Sequence, residues 1–144
     1  APTNHVFTKE NDNSCVLKVI TRDWSALLTG DIEQSAEAWL VEYQAMALPS
    51  TILIAPHHGS KTSSSMAFLR TVAPEMILIP AGYLNRFGFP HRDVLDRYQR
   101  LHIPWRIQGE QGAISISSHE GGWVMTSERE LRSRYWMRPV MYEG

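Results

Sequence analysis

The chain has 144 residues, of which 43% are hydrophobic, so it can form one compact core and is neither a disordered nor a collagen-like protein. Its formal net charge of -1 is unevenly divided, since residues 1–60 carry 3 basic and 7 acidic side chains and residues 61–144 carry 11 basic and 8 acidic ones. That basic excess is too small to indicate nucleic-acid binding by itself.

Neither a membrane-spanning helix nor a secretory leader is predicted. No apolar run reaches the roughly 20 residues that a spanning helix needs, and the chain does not open with a basic region and an apolar stretch. We therefore expect a soluble chain, and, because it begins without Met, an excised segment of a longer protein. The single Cys15 cannot form an intrachain disulfide and is predicted to be a small buried hydrophobe.

The period of the apolar residues predicts the elements in chain order. After a polar lead-in over 1–13, a hairpin of strands is predicted at 14–20 and 25–29. A helix follows over about 32–47. Its predicted apolar face contains Ala36, Trp39, Leu40, Tyr43 and Ala47. Further strands are predicted at 51–55, 76–80, 105–107, 113–117 and 123–125, and further helices at 64–72, 92–101 and 128–136.

The alternation of strands and helices predicts an α/β fold. Helical crossovers return the chain in the same direction, so the strands that end near Thr29, Ala55 and Pro80 should finish at one edge of a sheet. Open α/β sheets build their sites at that edge. Three loops should meet there, at residues 30–31, 56–59 and 81–91.

The first two loops carry candidate metal ligands. The carboxylate of Asp31 can ligate one cation or bridge two, although Asp31 with Gln34 also fits a helix capping box. His57 and His58 offer nitrogen ligands for Zn or Mn, or one ligand and one phosphate donor. The alternative for the histidine pair is a polar turn.

Polar and aromatic residues near these loops suggest a phosphodiester ligand. Lys61, Thr62 and the serines after them supply an ammonium group, hydroxyls and helix amides, although such hydroxyls are also ordinary helix caps. In the third loop, a base could stack on Tyr83 or Phe87 while Arg86 meets phosphate. Alternatively, these aromatic side chains cover the core.

Five segments resemble successive motifs of the metallo-β-lactamase-like region of ComEC competence proteins. In order, they are NDNSCVLKV, ALLTGDIE, PHHGSKTSSS, AGYLNRFGFPH and QGAISI, within about residues 11 to 117. The resemblance implies that residues 1–144 are the C-terminal portion of such a domain. The implied fold is half of an αββα sandwich, with a mixed sheet covered by helices.

The resemblance also implies a function. In that family, a soluble domain belongs to a bacterial inner-membrane protein, here expected on its extracytoplasmic side, that takes up DNA during natural transformation. The domain would degrade the strand that is not transported, by hydrolysing phosphodiester bonds at a two-metal site with Zn or Mn. Implied partners are DNA, expected to be single-stranded, and the remainder of the same membrane protein.

The motifs assign roles to individual residues. Asp31 and His58 correspond to metal ligands, with His57 as the other candidate for the histidine ligand. His57 and Lys61 are the implied catalytic residues. The residues implied to contact the substrate phosphates are Ser60, Thr62, Asn85, Arg86 and His91.

Two departures from the family pattern affect these expectations. The leading HxHxDxDH motif and the histidine that follows it are absent from the sequence, so the chain alone should be weak or inactive, and it could associate with a second copy. Phe89 stands where many relatives have histidine. A non-catalytic DNA-guiding module and another hydrolase of the fold, such as a lactonase or phosphodiesterase, are the alternatives.

Overall fold

The computed structural model of the protein describes residues 5–132 and contains a five-stranded sheet, a two-stranded sheet and flanking helices. The larger sheet contains β1 (Leu17–Ile20), β2 (Ser25–Leu28), β3 (Ile52–Ile54), β4 (Met76–Ile79) and β5 (Trp105–Ile107) in that spatial order, and the smaller one contains β6 (Ile114–His119) and β7 (Gly122–Ser127). The α-helices are α1 (Gln34–Gln44), α2 (Met66–Val72), α3 (Arg92–Arg100), α4 (Gln108–Gln111) and α5 (Glu128–Leu131), and 3₁₀ turns occur at Asn11–Asn13, Ala45–Ala47 and Pro56–Gly59.

The direction of the strands confirms the predicted α/β class. Strand β1 is antiparallel to β2, while β2, β3, β4 and β5 are parallel neighbours. The sheet is therefore mixed, and its parallel strands end at the same edge. The prediction missed the short helix α4, and residues 133–136 of the last predicted helix lie outside the described residues.

The main core lies between the sheet and the helices. Leu53 and Ile77 point to this side and are fully buried against Phe68 of α2 and Val94 of α3. The opposite side of the sheet is covered in part by the β6–β7 hairpin. Strands β3 and β4 are covered on both sides, which explains why their sequences are continuous apolar runs.

Helix α1 buries only part of the predicted apolar face, since Leu40 packs against the core and Trp39 is partly buried. Ala36 is buried as expected, but Tyr43 is 46% exposed and Ala47 is exposed. Glu37 is instead completely buried. The prediction was wrong for Tyr43 and Ala47, and it missed Glu37 because α1 contacts Ser64 and Ser65 through a buried carboxylate, which apolar periodicity cannot detect.

Part of the second sheet face carries exposed apolar side chains. Leu17 pairs with Leu28 across β1 and β2, and these residues are 54% and 38% exposed. Cys15 is also exposed, so the prediction of a buried cysteine was wrong. The neighbours of Cys15 in the sequence are apolar, which led to that prediction. The β6–β7 hairpin, however, packs over β3 and β4. Association with a second copy stays a prediction.

No helix within residues 5–132 is long and apolar enough to cross a membrane.

Candidate functional site at the carboxyl edge of the sheet

The loops after β2, β3 and β4 meet at the carboxyl edge of the sheet, as the sequence predicts. The backbone N–H of His57 donates to the carbonyl of Gly30 at 3.0 Å, which joins the first two loops. The Nδ1 of His58 lies 2.7 Å from the carbonyl oxygen of Pro80, which joins the second and third. The loops enclose an open pocket of about 470 Å³ lined by Asp31, His57, His58, Pro80, Ala81, Gly82, Asn85, Phe87 and Phe89.

Asp31 and His58 face each other across this pocket. Because a carbonyl oxygen can only accept a hydrogen bond, Nδ1 of His58 must carry a proton to bond with Pro80. When the imidazole carries only this proton, Nε2 has a free lone pair. That Nε2 lies 3.3 Å from Oδ1 of Asp31. Two acceptors at this distance repel each other unless a cation satisfies both, and the cation can be a proton on Nε2 or a metal ion.

The separation of these two atoms fits a shared divalent ion. Metal bonds of about 2.0 to 2.1 Å to nitrogen and oxygen, opened to a tetrahedral angle, place two ligands roughly 3.3 Å apart. The side chains of Asp31 and His58 are 47% and 44% exposed, so an ion can reach them. No cluster of three or more His, Cys, Asp or Glu side chains that could hold a metal occurs within residues 5–132.

His57 has a different environment. Its Nδ1 is buried, has no hydrogen-bond partner among the described residues and lies 3.5 Å from Oε1 of Glu33. The residue lines the pocket, and its ring contacts Phe89 at a centroid distance of 5.9 Å. The assignment of His57 as a catalytic residue stays a prediction.

Both histidines have left-handed backbone conformations, with φ values of 46° for His57 and 55° for His58. Non-glycine residues rarely adopt this region, and holding one there costs about 1–3 kcal/mol. Strained residues of this kind concentrate at functional sites because the surrounding fold must hold them in place. Other non-glycine residues in ordinary turns, such as Ala73 and Glu120, adopt the same region, so the conformation is equally compatible with a polar turn.

The NDNS segment supports the first loop, although the prediction treated residues 1–13 as an unpacked lead-in. Asp12 is buried, and its Oδ1 accepts a hydrogen bond from the backbone N–H of Glu33 at 2.6 Å. The Oγ of Ser14 accepts another from the N–H of Asp31 at 3.3 Å. The lead-in is therefore part of the site, and the polar side chains clustered before β1 were the available signal.

The predicted capping role of Asp31 is not observed. Helix α1 begins at Gln34 with Glu33 at the N-cap position, and no side-chain hydrogen bond caps it. The N–H of Gln34 instead donates to the carbonyl of Thr62. Asp31 therefore directs its carboxylate toward His58 rather than toward the helix.

The remaining candidates lie around the pocket. Asn85 lines it, but its side-chain amide is hydrogen bonded to backbone atoms of Gly82 and Phe89. Within the described chain, five candidates lie outside the pocket wall: Ser60, Lys61, Thr62, Arg86 and His91. Their assignment to substrate contacts stays a prediction.

The contacts of these outer residues are mainly structural. The ammonium group of Lys61 lies 4.0 Å from the carboxylate of Asp93 and is mostly exposed. Nδ1 of His91 accepts from the N–H of Asp93 and so caps α3. The hydroxyl groups of Ser60 and Thr62 share a hydrogen bond of 3.1 Å. Most hydroxyl groups of this segment thus serve the local fold.

Glu33 links the lead-in to His57 and has a perturbed acidity. Hydrogen bonds from Lys9 at 2.8 Å and Asn11 at 3.2 Å hold its carboxylate. The hydrogen bond from Lys9 is the largest cause of a lowered Glu33 pKa, which burial partly opposes. A lowered pKa stabilises the fold above the ordinary glutamate pKa, and this contribution is lost as the pH falls through the lowered value.

Replacing Lys9 with methionine is expected to raise the pKa of Glu33 toward its ordinary value, because the hydrogen bond from the ammonium group is removed. The pKa can be measured by following the Glu33 carboxyl carbon in a ¹³C NMR titration. Lys18→Met is the matched control, since Lys18 contacts the carbonyls of Ala47 and Pro49. An unchanged Glu33 pKa in Lys9→Met would contradict the assigned cause.

The chain is similar over most of its length to a competence protein and to a recombination protein. It is 32% identical over 137 residues to competence protein ComA of Neisseria gonorrhoeae and 39% identical over 141 residues to recombination protein 2 of Haemophilus influenzae. These matches cover 95% and 97% of the chain but 20% and 17% of the relatives. It is also 35% identical over 105 residues, or 73% of the chain and 13% of the relative, to ComE operon protein 3 of Bacillus subtilis. No protein-family model matches it.

Proposed function

We propose that this chain, which is a ComEC-like segment, contributes to DNA uptake by supplying part of a divalent-metal site that hydrolyses phosphodiester bonds of DNA. The similarity to a relative named as a competence protein supports the uptake context. Because the chain spans only 13% to 20% of these relatives, the remainder of the site would come from the rest of a longer, membrane-associated protein.

The contact between Asp31 and His58 carries the proposal. An anchored imidazole and a carboxylate, 3.3 Å apart at the carboxyl edge of a parallel sheet, provide two ligands with the spacing of a shared ion. When bound, Zn or Mn at a two-metal site supplies an activated water and stabilises the charge that develops on phosphate. In this arrangement Asp31 and His58 hold metal, with His57 as the alternative ligand.

His57 and Lys61 have the chemistry to assist at the scissile phosphate. His57 lines the pocket, and its imidazole would donate a hydrogen bond or proton to a phosphate oxygen. Lys61 would offset phosphate charge from the rim, and the reach of its exposed side chain allows it to leave Asp93. The polar side chains proposed to guide the phosphates into the pocket are Ser60, Thr62, Asn85, Arg86 and His91.

The test is cleavage of labelled single-stranded DNA by a longer protein that includes both this chain and the HxHxDxDH segment. We expect cleavage with Mn or Zn, and its loss in Asp31→Ala, together with loss of metal measured by elemental analysis. Asp23→Ala, which alters a carboxylate in the turn between β1 and β2, is the matched control and should retain both properties.

Three results would contradict the proposal in different ways. Full metal content and cleavage in Asp31→Ala would remove Asp31 from the site. Salt-sensitive DNA binding without metal-dependent cleavage would favour a DNA-guiding module. Faster hydrolysis of small lactones or phosphodiesters than of DNA would favour another hydrolase of the same fold.

A further inference from the structure

The aromatic loop, residues 81–91, extends a row of rings outward from His57. Phe89 contacts the His57 ring edge to face at a centroid distance of 5.9 Å. Phe87 is stacked on Phe89, with centroids 5.8 Å apart and planes inclined by 22°. The guanidinium carbon of Arg86 lies 5.0 Å from the centroid of Phe87 and ends the row at the surface.

The outer end of this row is exposed although it is apolar. Phe87 is 65% exposed and lines the pocket, whereas Phe89 packs partly against the main core. The prediction that the loop aromatics cover the core is therefore wrong for Phe87. An exposed aromatic ring at the rim of a pocket that also holds a few polar groups is a feature of ligand-binding surfaces.

The loop holds these rings in place before any ligand binds. The Oδ1 of Asn85 accepts from the N–H of Phe89 at 2.9 Å, and its Nδ2 donates to the carbonyl of Phe89 at 2.6 Å. The N–H of Gly88 donates to the carbonyl of Asn85, which closes the turn that carries Phe87. A fixed platform loses little conformational entropy when a flat ligand stacks on it.

We propose that an unpaired base of single-stranded DNA stacks on Phe87 at the outer end of this row, where it displaces Arg86 from the ring, and that Arg86 then contacts its phosphate or stacks on the base. The inference rests on the proposed function for its partner, DNA. Stacking on aromatic rings tolerates any base, since every base has a π face, and arginine combines phosphate contact with planar stacking. Bases in a duplex are already stacked on their neighbours, so the row selects single strands.

This role also accounts for the phenylalanine at position 89. A histidine there would place a polar ring between Phe87 and His57, whereas Phe89 continues the stack from the exposed rim to the imidazole. A nucleotide held at Phe87 would lie next to the pocket that contains Asp31 and His58. The row is therefore a positioning and selectivity element beside the proposed hydrolytic site.

The test measures DNA binding by the 144-residue chain in buffer with EDTA, where cleavage does not contribute. The probes are an oligothymidine that contains one 2-aminopurine and a hairpin duplex of equal length. Fluorescence reports the binding of each probe. We expect Phe87→Ala to weaken single-strand binding about tenfold and to abolish the change in 2-aminopurine fluorescence, with duplex binding unchanged. Phe87→Trp should restore both signals.

Leu84→Ala is the matched control, because Leu84 is 85% exposed in the same loop but has no ring, and it should bind like the parent chain. The proposal is overturned if the parent does not bind single strands, if Phe87→Ala binds them normally, or if it weakens duplex binding equally. If Phe87→Ala binds single strands normally and the longer protein still shows metal-dependent cleavage, only the proposal about the aromatic row is contradicted. If Phe87→Ala selectively loses single-strand binding and the longer protein shows no cleavage, only the proposal of hydrolysis is contradicted.

Discussion

Replacing Glu37 with alanine is expected to lower the free energy of unfolding by about 2–5 kcal/mol, the range for breaking a buried charged network. Glu37 is completely buried, and its two carboxylate oxygens accept from the backbone N–H groups of Ser64 at 2.5 Å and Ser65 at 2.8 Å. Alanine would leave the buried N–H of Ser64 and the partly buried N–H of Ser65 without this acceptor and would open a cavity. Chemical denaturation followed by circular dichroism measures the loss.

Glu42→Ala is the control for this experiment, because it makes the same change at an exposed position of the same helix. Exposed substitutions of this kind usually change the free energy of unfolding by less than about 0.5 kcal/mol. Equal losses in the two variants would show that helix propensity, and not the buried hydrogen bonds, determines the effect.

The Glu37 contacts matter for the site because they hold the segment that follows the histidines. Arg97 of α3 donates to the carbonyls of Ser63 and Ser64 at 2.7 and 2.8 Å. The hydroxyl groups of Ser64 and Tyr98 share a hydrogen bond of 2.9 Å. Helices α1 and α3 thus clamp the segment from two sides, and Ser64 keeps a left-handed φ of 57°. Loss of Glu37 should therefore also disturb the His57–His58 turn.

Glu37 should also make stability depend on pH. Burial raises its pKa, and the hydrogen bonds from Ser65 and Ser64 only partly oppose this. A raised pKa means that the folded chain binds the proton more tightly than the unfolded chain does. The stabilisation from this group is therefore complete below the ordinary glutamate pKa and is lost as the pH rises through the raised value.

A comparison with Glu37→Gln isolates this contribution, because glutamine does not titrate. We expect the difference in the free energy of unfolding between the parent and Glu37→Gln to be larger at pH 4 than at pH 7. The opposite trend would mean that the paired backbone N–H groups outweigh burial. Glu33, whose pKa is lowered, contributes with the opposite sign in both proteins and so cancels in the difference.

The elements near the site could be predicted because each has a local signal. Strands β3 and β4 are continuous apolar runs bounded by proline or polar residues, and parallel strands must end at one edge. That reasoning was sufficient to bring Asp31 close to the histidine pair. It could not reveal which nitrogen of His58 faces Asp31, since the other nitrogen contacts the carbonyl of Pro80, 22 residues away.

The buried polar contacts could not be predicted from the sequence for a similar reason. Glu37 and Asp12 look like ordinary surface acids in the sequence. Their neighbours do not indicate that Glu37 accepts from a backbone N–H 27 residues away or that Asp12 accepts from one 21 residues away. The predicted face of α1 included the exposed Tyr43 and omitted Glu37, because an aromatic residue outweighs a glutamate in any hydrophobic pattern. A carboxylate can enter a core only when its partners satisfy it, and partners are set by the tertiary fold.

Replacing Gly59 with alanine is expected to lower the free energy of unfolding by about 2–4 kcal/mol, combining a left-handed conformation with overpacking. Gly59 has a φ of 79°, and a Cβ there would lie 2.7 Å from Cβ and 3.1 Å from Cα of Pro90. Its carbonyl also accepts from the N–H of His91 at 2.8 Å. The methyl group would therefore push the aromatic loop away from the Pro56–Gly59 turn. Thermal unfolding measures the effect.

Gly88→Ala separates the two causes, because Gly88 has a similar φ of 67° but an added Cβ would meet no atom within 4 Å. That variant should lose only about 1–2 kcal/mol, from the conformation alone. The excess loss in Gly59→Ala then measures how tightly the histidine turn packs against Pro90. If both variants lose the same free energy of unfolding, the aromatic loop moves away from an added Cβ at no cost. The contact between Gly59 and Pro90 then does not hold the row from Phe87 to His57 in place. If Gly59→Ala loses more, the turn that presents His57 and His58 and the loop that carries Phe87 form one rigid unit.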